Sequence, residues 1–420
     1  MSGFIKIVTL SNPGYASDLR IGKTLIDGNG NVVNGTYIDN VDILIKRTIT
    51  ECQDNSIEYI PDYAFAYCSN LTSANFSVCT EIYEAAFKSC TSLISVSFPV
   101  CSYIGPQAFA NCTSLTLVSF PACTDIYWRA FYSCTSLTSV SFPVCTRVGQ
   151  EAFVDCTSLT SASFPVCSYI GIAAFGECTS LTSVSFPVCT DIGEAAFYYC
   201  ESLTSANFPV CSYIGGGAFF SCYSLTSVSF PVCSYIDGEA FANCTSLTSV
   251  SFPACTSIGS AAFGGCSSLT TASFPVCTDI YWSAFANCTS LTSVSFPECI
   301  YIDGEAFANC TSLTSVSFPA CTDIYWRAFY SCTSLTSISF PECIYIEGEA
   351  FGECTNLTSL TLGGSSVCTL DDITAFDNTP MSKSTYTGSY GSIYVPASLV
   401  NAYKSATNWV MYSSRITSMQ

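Results

Sequence analysis

The sequence predicts a repeat solenoid in which about fourteen short turns of chain stack along one axis. A cysteine falls every 11 residues from Cys68 to Cys354, and this series holds 27 of the 29 cysteines. A leucine recurs every 22 residues, fourteen times from Leu71 to Leu357. A fixed period of about 20 to 50 residues is typical of stacked repeats. It overrides the expectation that 420 residues form two or three globular domains.

The first half of each unit predicts a short strand. One unit, residues 93–112, reads Leu-Ile-Ser-Val-Ser-Phe-Pro-Val-Cys-Ser-Tyr-Ile-Gly-Pro-Gln-Ala-Phe-Ala-Asn-Cys. The four inward positions of the leucine-rich pattern L-x-x-L-x-L-x-x-N/C fall on Leu93, Val96, Phe98 and Cys101. Side chains alternate between Val96 and Phe98, which predicts a parallel strand. Pro99 lacks the N–H that a strand ladder needs, so we expect it to end the strand.

The second half of the unit carries Ile104, Ala108 and Phe109 at fixed places. Because Ile104 and Phe109 are bulky and apolar, we expect both to point inward. The Gly-x-x-Ala-Phe stretch is predicted to form one turn of 3-10 or α-helix. The predicted fold class is therefore a leucine-rich-repeat solenoid of 22-residue units. It has short parallel strands on one face, 3-10 or short helical turns on the other, and terminal caps.

The repeated unit C-x-x-L-x-x-V-x-F-P…I-G-x-x-A-F-x-x-C resembles the BspA-like (Treponema-type) leucine-rich repeats of bacterial surface proteins. The unit here is one residue shorter than is usual in that family, between Pro99 and Ile104. The resemblance covers about residues 50–367 and is highly specific for the fold. It implies adhesion or protein binding, and it implies no catalytic residues.

The cysteines are predicted to be buried, reduced thiols. Their spacing of 11 and the absence of histidine do not match a zinc site, so we expect no metal and no cofactor. Equivalent cysteines on adjacent turns would keep their Cβ atoms about 4.8 Å apart, beyond the roughly 3.8 Å of a disulfide. Two thiol ladders favour folding in a reducing cytosol. The predicted structural ladder residues are Leu93, Phe98, Cys101, Phe109, Cys112, Cys123 and Cys134.

The two faces differ in how much they vary between units. The strand face repeats Thr, Ser, Ser and Pro, which either binds a periodic polymer such as a glycan or simply keeps the strands soluble. The opposite face carries tyrosines and tryptophans, which either cover their neighbours along the stack or act as binding anchors. The candidate binding residues are Tyr103, Tyr127, Trp128, Tyr169, Tyr213, Tyr235, Tyr281, Trp282, Tyr325 and Trp326.

Both ends of the chain break the repeat, as the caps of a solenoid do. Residues 1–50 contain the turn signals Asp27-Gly-Asn-Gly and Asn34-Gly, which predict a small β element. The stretch 16–36 resembles a segment of phage tail and tail-fibre proteins, x-x-I-L-x-G-K-T-A-Y-x-x-G-x-K-V-T-G-T, with Leu25-Ile26 in place of Ala-Tyr. We expect 1–50 to be an attachment segment and 51–367 to be the repeats.

Residues 368–420 are predicted to form a C-terminal cap with a short helix that begins at Pro396. The stretch Tyr-Val-Pro-x-x-x-Val-x-x-Tyr-Lys, with Trp409 after it, resembles the terminal cap of BspA-like proteins.

Charge and composition exclude several functions. The net charge of −19 leaves too few basic side chains for nucleic-acid binding and disfavours an anionic membrane surface. No run of about 18 apolar residues predicts a membrane span, and the N-terminus does not resemble a secretory signal. Without histidine there is no Ser-His or Cys-His pair, and no phosphate-binding glycine loop occurs. We therefore expect no enzymatic activity and no catalytic residue.

The sequence thus predicts a non-enzymatic binding or structural protein. The phage-like segment, the thiols and the missing signal favour a virion-associated tail or decoration protein, assembled in the host cytoplasm and docked through residues 1–50. Its solenoid would present a surface to a host protein or glycan, with many weak contacts adding up to high avidity. The alternative is a BspA-like adhesin on a bacterial cell surface.

Overall fold

The chain folds as a parallel-strand β-solenoid of about sixteen turns with repeats of about 22 residues. The computed structural model describes residues 49–382 and 391–419, together with the backbone of Leu25–Ile26 and Val32–Val33. These residues belong to two compact units. The first unit runs to Cys189 and includes Tyr199–Leu203, and the second consists of Thr190–Tyr198 and the chain from Thr204 onward.

Each turn begins with a strand whose central apolar side chain points inward, because successive side chains alternate across a strand. In Ser95–Ser97, Val96 is buried between two partly exposed serines, and it pairs in parallel with Val118 one turn later. We call these strands the first ladder. In the first unit they are Glu51–Gln53, Ser73–Asn75, Ser95–Ser97, Leu117–Ser119, Ser139–Ser141, Ser161–Ser163 and Ser183–Ser185. In the second unit they are Ser205–Asn207, Ser227–Ser229, Ser249–Ser251, Thr271–Ser273, Ser293–Ser295, Ser315–Ser317, Ser337–Phe340, Ser359–Leu362, Ser392–Val395 and Ile416–Ser418.

Every turn up to the one that begins at Ser359 also carries a second parallel strand of two residues, which the sequence analysis did not predict. In Tyr103–Ile104 the isoleucine is buried and the tyrosine points outward. We call these strands the second ladder. In the first unit they are Tyr59–Ile60, Glu81–Ile82, Tyr103–Ile104, Asp125–Ile126, Arg147–Val148 and Tyr169–Ile170. In the second unit they are Asp191–Ile192, Tyr213–Ile214, Tyr235–Ile236, Ser257–Ile258, Asp279–Ile280, Tyr301–Ile302, Asp323–Ile324, Tyr345–Ile346 and Thr369–Leu370.

The segment after the second ladder is a series of turns and not the 3-10 or α-helical turn that the Gly-x-x-Ala-Phe pattern predicted. Gln107 and Asn111 have φ of 54° and 61°, in the left-handed region. Their N–H groups donate to the next turn, at 2.8 Å and 2.7 Å from acceptor carbonyl oxygens, and so does that of Phe109 at 2.7 Å. Only the residues between them bond within the turn, as Ala110 N–H does to Gln107 at 3.0 Å. A helix is lost because alternate N–H groups bond between turns.

Two stacks of phenylalanine fill the interior. Phe98 stacks on Phe120 at a ring separation of 5.3 Å, and Phe109 stacks on Phe131 at 5.3 Å. The two stacks meet edge to face, with Phe98 and Phe109 6.3 Å apart. This combines offset stacking and T-shaped contact, the two arrangements that aromatic rings favour. All the predicted structural ladder residues have no exposed surface: Leu93, Phe98, Cys101, Phe109, Cys112, Cys123 and Cys134.

The last turns are covered by a short helical segment. It comprises the 3-10 turns Ile373–Phe376, Ala397–Leu399 and Trp409–Tyr412 and the α-helix Val400–Ser405. Tyr403 and Trp409 are fully buried there. The Cys368 N–H donates to the Tyr403 hydroxyl oxygen at 2.9 Å, and the Trp409 indole N–H donates to the Cys368 carbonyl at 2.6 Å. These bonds satisfy backbone groups that the end of a ladder would otherwise leave unpaired.

At the N-terminus, Leu25–Ile26 pairs in antiparallel fashion with Val32–Val33. The rest of residues 1–48, which include the phage-like stretch and most of the predicted attachment segment, lies outside the described residues.

Candidate functional site

The outward side chains around the second ladder form rows of tyrosine rings. In the first unit, Tyr59, Tyr83, Tyr103 and Tyr127 follow one another at ring separations of 5.9, 6.0 and 4.7 Å. Tyr127 is 42% exposed, whereas Tyr103 is half-buried between its neighbours. Tyr59 and Tyr83 were not among the candidate residues. The sequence could have indicated Tyr83, since it occupies the same position in its 22-residue repeat as the candidate Tyr127.

The second unit carries a matching row of tyrosines. Tyr281, Tyr301, Tyr325 and Tyr345 are separated by 6.4, 4.9 and 5.8 Å. Tyr281 is 39% exposed. Each ring therefore packs against its neighbours along the stack and still offers one edge or face to solvent. The two interpretations of these rings, as covers and as anchors, are compatible in this geometry.

Two tryptophans flank this row. Trp282 and Trp326 stack with ring centroids 5.7 Å apart and planes 18° from parallel. They come from turns that are two apart, and Gly304 lies between them. A Cβ atom at Gly304 would approach Cζ3 of Trp282 to 2.3 Å, so any other residue there would displace the Trp282 ring. Trp282 keeps 42% of its surface exposed.

Two arginines are held between aromatic rings at equivalent places in the two units. The Arg129 guanidinium lies 4.8 Å from the Trp128 ring centroid and 4.9 Å from that of Tyr132. Its Nε also bonds Glu151 Oε2 at 2.5 Å. In the second unit, Arg327 lies 4.3 Å from Trp326 and 4.7 Å from Tyr330, with Glu349 at 2.7 Å. These cation–π and ionic contacts orient Trp128 in the first unit and Trp326 in the second.

The remaining candidate tyrosines have polar or cationic partners. The Arg147 guanidinium lies 5.3 Å from the Tyr169 ring centroid. Tyr213 stacks on Tyr235 at 5.9 Å, and its hydroxyl donates to Asp237 Oδ2 at 2.9 Å. Burial and the hydrogen bond to Asp237 raise the pKa of Tyr213 to about 12. Tyr213 therefore stays a neutral hydrogen-bond donor over the whole physiological range.

The 29 cysteines are all buried, and none of them forms a disulfide. One series bonds across turns, as the Cys112 thiol does to the Phe87 carbonyl at 3.1 Å. The other bonds within its turn, as the Cys101 thiol does to the Tyr103 carbonyl at 3.2 Å. Burial raises the pKa of Cys101 to about 12, so its thiol is protonated at neutral pH. Such thiols are poor nucleophiles and act as small apolar side chains.

The first ladder offers a row of hydroxyl groups, but many threonines use theirs internally. The hydroxyls of Thr160 and Thr182 donate to carbonyls one turn back, each at 3.0 Å. The serines between them point outward, as Ser161 and Ser163 do. This face is repetitive. The opposite face, which carries the tyrosine rows and the tryptophans and is called the aromatic face below, varies from turn to turn.

A groove at the left-handed turns was missed by the sequence analysis. It has a volume of about 550 Å³ and lies entirely in the second unit. Its floor is formed by the residue that follows the buried phenylalanine in each 22-residue repeat. That residue is small in four consecutive repeats: Ala242, Gly264, Ala286 and Ala308. Phe220 and Tyr330 occupy the same position at the two ends. The sequence could have indicated the groove, because the side chain at this one repeat position changes from large to small and back to large along the chain.

In the part of the chain that the structure describes, no group of three or more Cys, Asp or Glu side chains could hold a metal ion. No helix among those residues is long and apolar enough to cross a membrane.

Stacked turns with two buried ladders and a varied outer surface define a leucine-rich-repeat protein. The family described as "BspA type Leucine rich repeat region (6 copies)" matches residues 47–160, 146–270 and 278–397. The chain belongs to this family. Family membership agrees with the fold class expected from the 22-residue repeat.

Solved leucine-rich-repeat structures resemble the chain, although no curated protein matches it. A leucine-rich repeat protein from Bacteroides ovatus is 25% identical, with a TM-score of 0.68 over 83% of this chain and 92% of that one. A Treponema pallidum leucine-rich repeat protein is 30% identical over 36% of this chain and 77% of that one, with a TM-score of 0.34. A leucine rich cell surface protein from Faecalibacterium prausnitzii is 22% identical, with a TM-score of 0.35 over 91% of this chain and 88% of that one.

Proposed function

We propose that the protein is a non-enzymatic adhesion protein that binds a host surface protein or glycan through its aromatic face. The observation that carries the proposal is the row Tyr281, Tyr301, Tyr325 and Tyr345 with the Trp282–Trp326 pair beside it. These rings are already packed in place, so they lose little side-chain entropy when a partner covers them. Tyrosine and tryptophan are also the side chains that dominate binding energy at interfaces.

The repeats place more than one aromatic binding surface on the same chain. The first unit carries its own row, from Tyr59 to Tyr127, and its own tryptophan, Trp128. Several weak contacts on one chain raise the overall affinity by avidity. A surface of this kind suits a particle or cell that must adhere to a target.

Two sites of action are candidates. Attachment to a virion rests on the phage-like stretch 16–36 and on the reduced thiols, which suit assembly in a reducing cytosol. The BspA-type family match favours the second candidate, an adhesin on a bacterial cell surface. Immunogold electron microscopy of the native source separates them. Gold on tails or capsids supports the virion candidate, and gold on the cell envelope excludes it.

The adhesion proposal is tested on an array of immobilised host surface proteins and glycans. The full chain is compared with Trp282→Ala and Tyr325→Ala, and with a matched control, Ser161→Ala with Ser163→Ala, on the serine face. We expect the aromatic variants to lose at least tenfold in affinity for any ligand found and the serine variants to retain it. Retention by the aromatic variants together with loss by the serine variants would assign binding to the other face.

A further inference from the structure

The groove between Phe220 and Tyr330 borders the aromatic face at Arg327, which packs on Trp326, but its other lining residues give it the chemistry of a second site. We propose that it binds an extended polypeptide segment that carries two basic side chains four residues apart. The argument starts from the two rims of the groove.

One rim is acidic. It consists of the first left-handed residue of each turn, which gives Glu239, Ala261, Ser283, Glu305 and then Arg327. Ser283 donates to Glu305 Oε2 at 3.2 Å and so orients that carboxylate. Arg327 is balanced by Glu349 and lies between two rings. The rim therefore presents two carboxylates to a ligand.

The other rim carries amides. It consists of the second left-handed residue of each turn: Asn243, Gly265, Asn287 and Asn309. The Asn309 side-chain amide donates to Asn287 Oδ1 at 3.1 Å, so these amides line up along the groove. A primary amide both donates and accepts, and thus complements the N–H and C=O groups of a peptide backbone.

The small residues of the groove floor favour a peptide over a glycan as the ligand. Ala242, Gly264, Ala286 and Ala308 offer no ring on which a sugar could stack. The only aromatic side chains lining the groove, Phe220 and Tyr330, are five turns apart, about 24 Å. Sugars between them would lack a stacking surface. A peptide with small side chains facing the floor lies in the groove without that requirement.

The spacing of the carboxylates sets the ligand pattern. Glu239 and Glu305 come from turns three apart, so about 14 Å separates their backbones. An extended chain rises about 3.4 Å per residue, so four residues span nearly the same distance. Residues i and i+4 also point to the same side of an extended chain. The whole groove accommodates about seven residues on the same scale.

The test uses the full chain and a fluorescein-labelled seven-residue peptide of glycine and serine with lysines at its second and sixth positions, followed by anisotropy. Ala286→Tyr should abolish binding, with at least a tenfold loss, because it fills the floor. The fold tolerates this residue, since Tyr132 and Tyr330 occupy the same repeat position. Glu239→Gln and Glu305→Gln should each weaken binding about two- to fivefold, as expected for solvent-exposed ion pairs.

The controls separate the site from net charge and from the aromatic face. Glu298→Gln makes the same charge change on an exposed side chain outside the groove, and it should leave affinity unchanged. Trp282→Ala, which tests the aromatic face, should also leave peptide binding intact. Equal binding of a peptide with adjacent lysines, or unchanged binding by Ala286→Tyr, would overturn the proposal. So would binding of a neutral β-linked glucose hexamer in the groove without binding of the peptide.

Discussion

Single residues decide how the outer surface of this solenoid is built, because each turn offers the same positions to different side chains. Where Gly304 leaves out a Cβ atom, Trp282 reaches across a turn to Trp326. Where four consecutive repeats place Ala or Gly after the buried phenylalanine, a groove is formed. The interior shows the opposite behaviour, since Leu93, Phe98 and Phe109 recur with little change and are fully buried.

The tryptophan pair gives the first prediction. Gly304→Ala places a Cβ atom 2.3 Å from Trp282 Cζ3, so the Trp282 ring must move away from Trp326. We expect the circular-dichroism couplet of the stacked indoles to disappear, with a loss of about 0.5–1.5 kcal/mol for the aromatic pair. Gly216→Ala is the control, because its nearest contact would be an ordinary 3.4 Å. A couplet that persists in Gly304→Ala would contradict the stacking.

The buried phenylalanine stack gives the second prediction. Phe109→Ala removes a ring that stacks on Phe87 at 5.1 Å and on Phe131 at 5.3 Å. We expect a loss of about 3–5 kcal/mol in the free energy of unfolding, measured by urea denaturation. Leu117→Ser is the control, because Leu117 is 63% exposed and serine is usual at that repeat position. A similar loss in both variants would mean that the stack does not carry the stability.

At the scale of the element, the sequence predicted one ladder and missed the other. The alternation from Val96 to Phe98 indicated the first ladder, and the structure confirms it. The second ladder is only two residues long, which is too short for a period-2 pattern to be read. The turn after it has the composition of a helix, but helix formation was overridden by hydrogen bonds to a neighbouring turn. Such bonds depend on stacking, which no local pattern contains.

The same limit applies to the sites. The tyrosines and tryptophans could be picked out as candidates because large aromatic side chains stand out in a repeat of Ser, Thr and Gly. Their packing could not be derived, since Tyr281 and Tyr301 meet across turns at repeat positions that differ by two. The groove was missed because small residues carry no chemical signal of their own. It is defined by two larger rings that lie five turns apart in the fold.

The left-handed turns give the third prediction. Gly217 and Ala261 occupy equivalent positions, with φ of 60° and 54°. A non-glycine residue there costs about 1–2 kcal/mol, partly offset by the roughly 0.5–1 kcal/mol of chain entropy that glycine loses. We therefore expect Gly217→Ala to lower the free energy of unfolding by about 0.5–1 kcal/mol and Ala261→Gly to raise it by a similar amount. Urea denaturation measures both, and changes of equal sign would refute the assignment.

At the scale of the whole molecule, the thiol ladders make stability depend on alkaline pH. Burial raises the pKa of Cys167 to about 11 and that of Cys101 to about 12, from a usual value of 9.0. Below pH 9 the folded and unfolded chains keep the same thiol protons. Above pH 9 the unfolded chain loses them first, so stability falls as pH rises. Each buried thiol then removes about 1.4 kcal/mol per pH unit until its own folded pKa is reached.

Because burial raises the pKa of cysteines along both thiol ladders, among them Cys79, Cys101, Cys145, Cys167, Cys211 and Cys255, their effects add. We therefore expect cooperative unfolding within about one pH unit above 9, which far-UV circular dichroism would detect. A variant with alanine at Cys101, Cys112, Cys123 and Cys134 is the control. Its free energy of unfolding should depend less steeply on pH between about 9 and 10.5, by about four times 1.4 kcal/mol per pH unit. Tyrosine ionisation would leave that slope unchanged in the variant, so an unaltered slope would assign the alkaline transition to the tyrosine rows and not to the thiols.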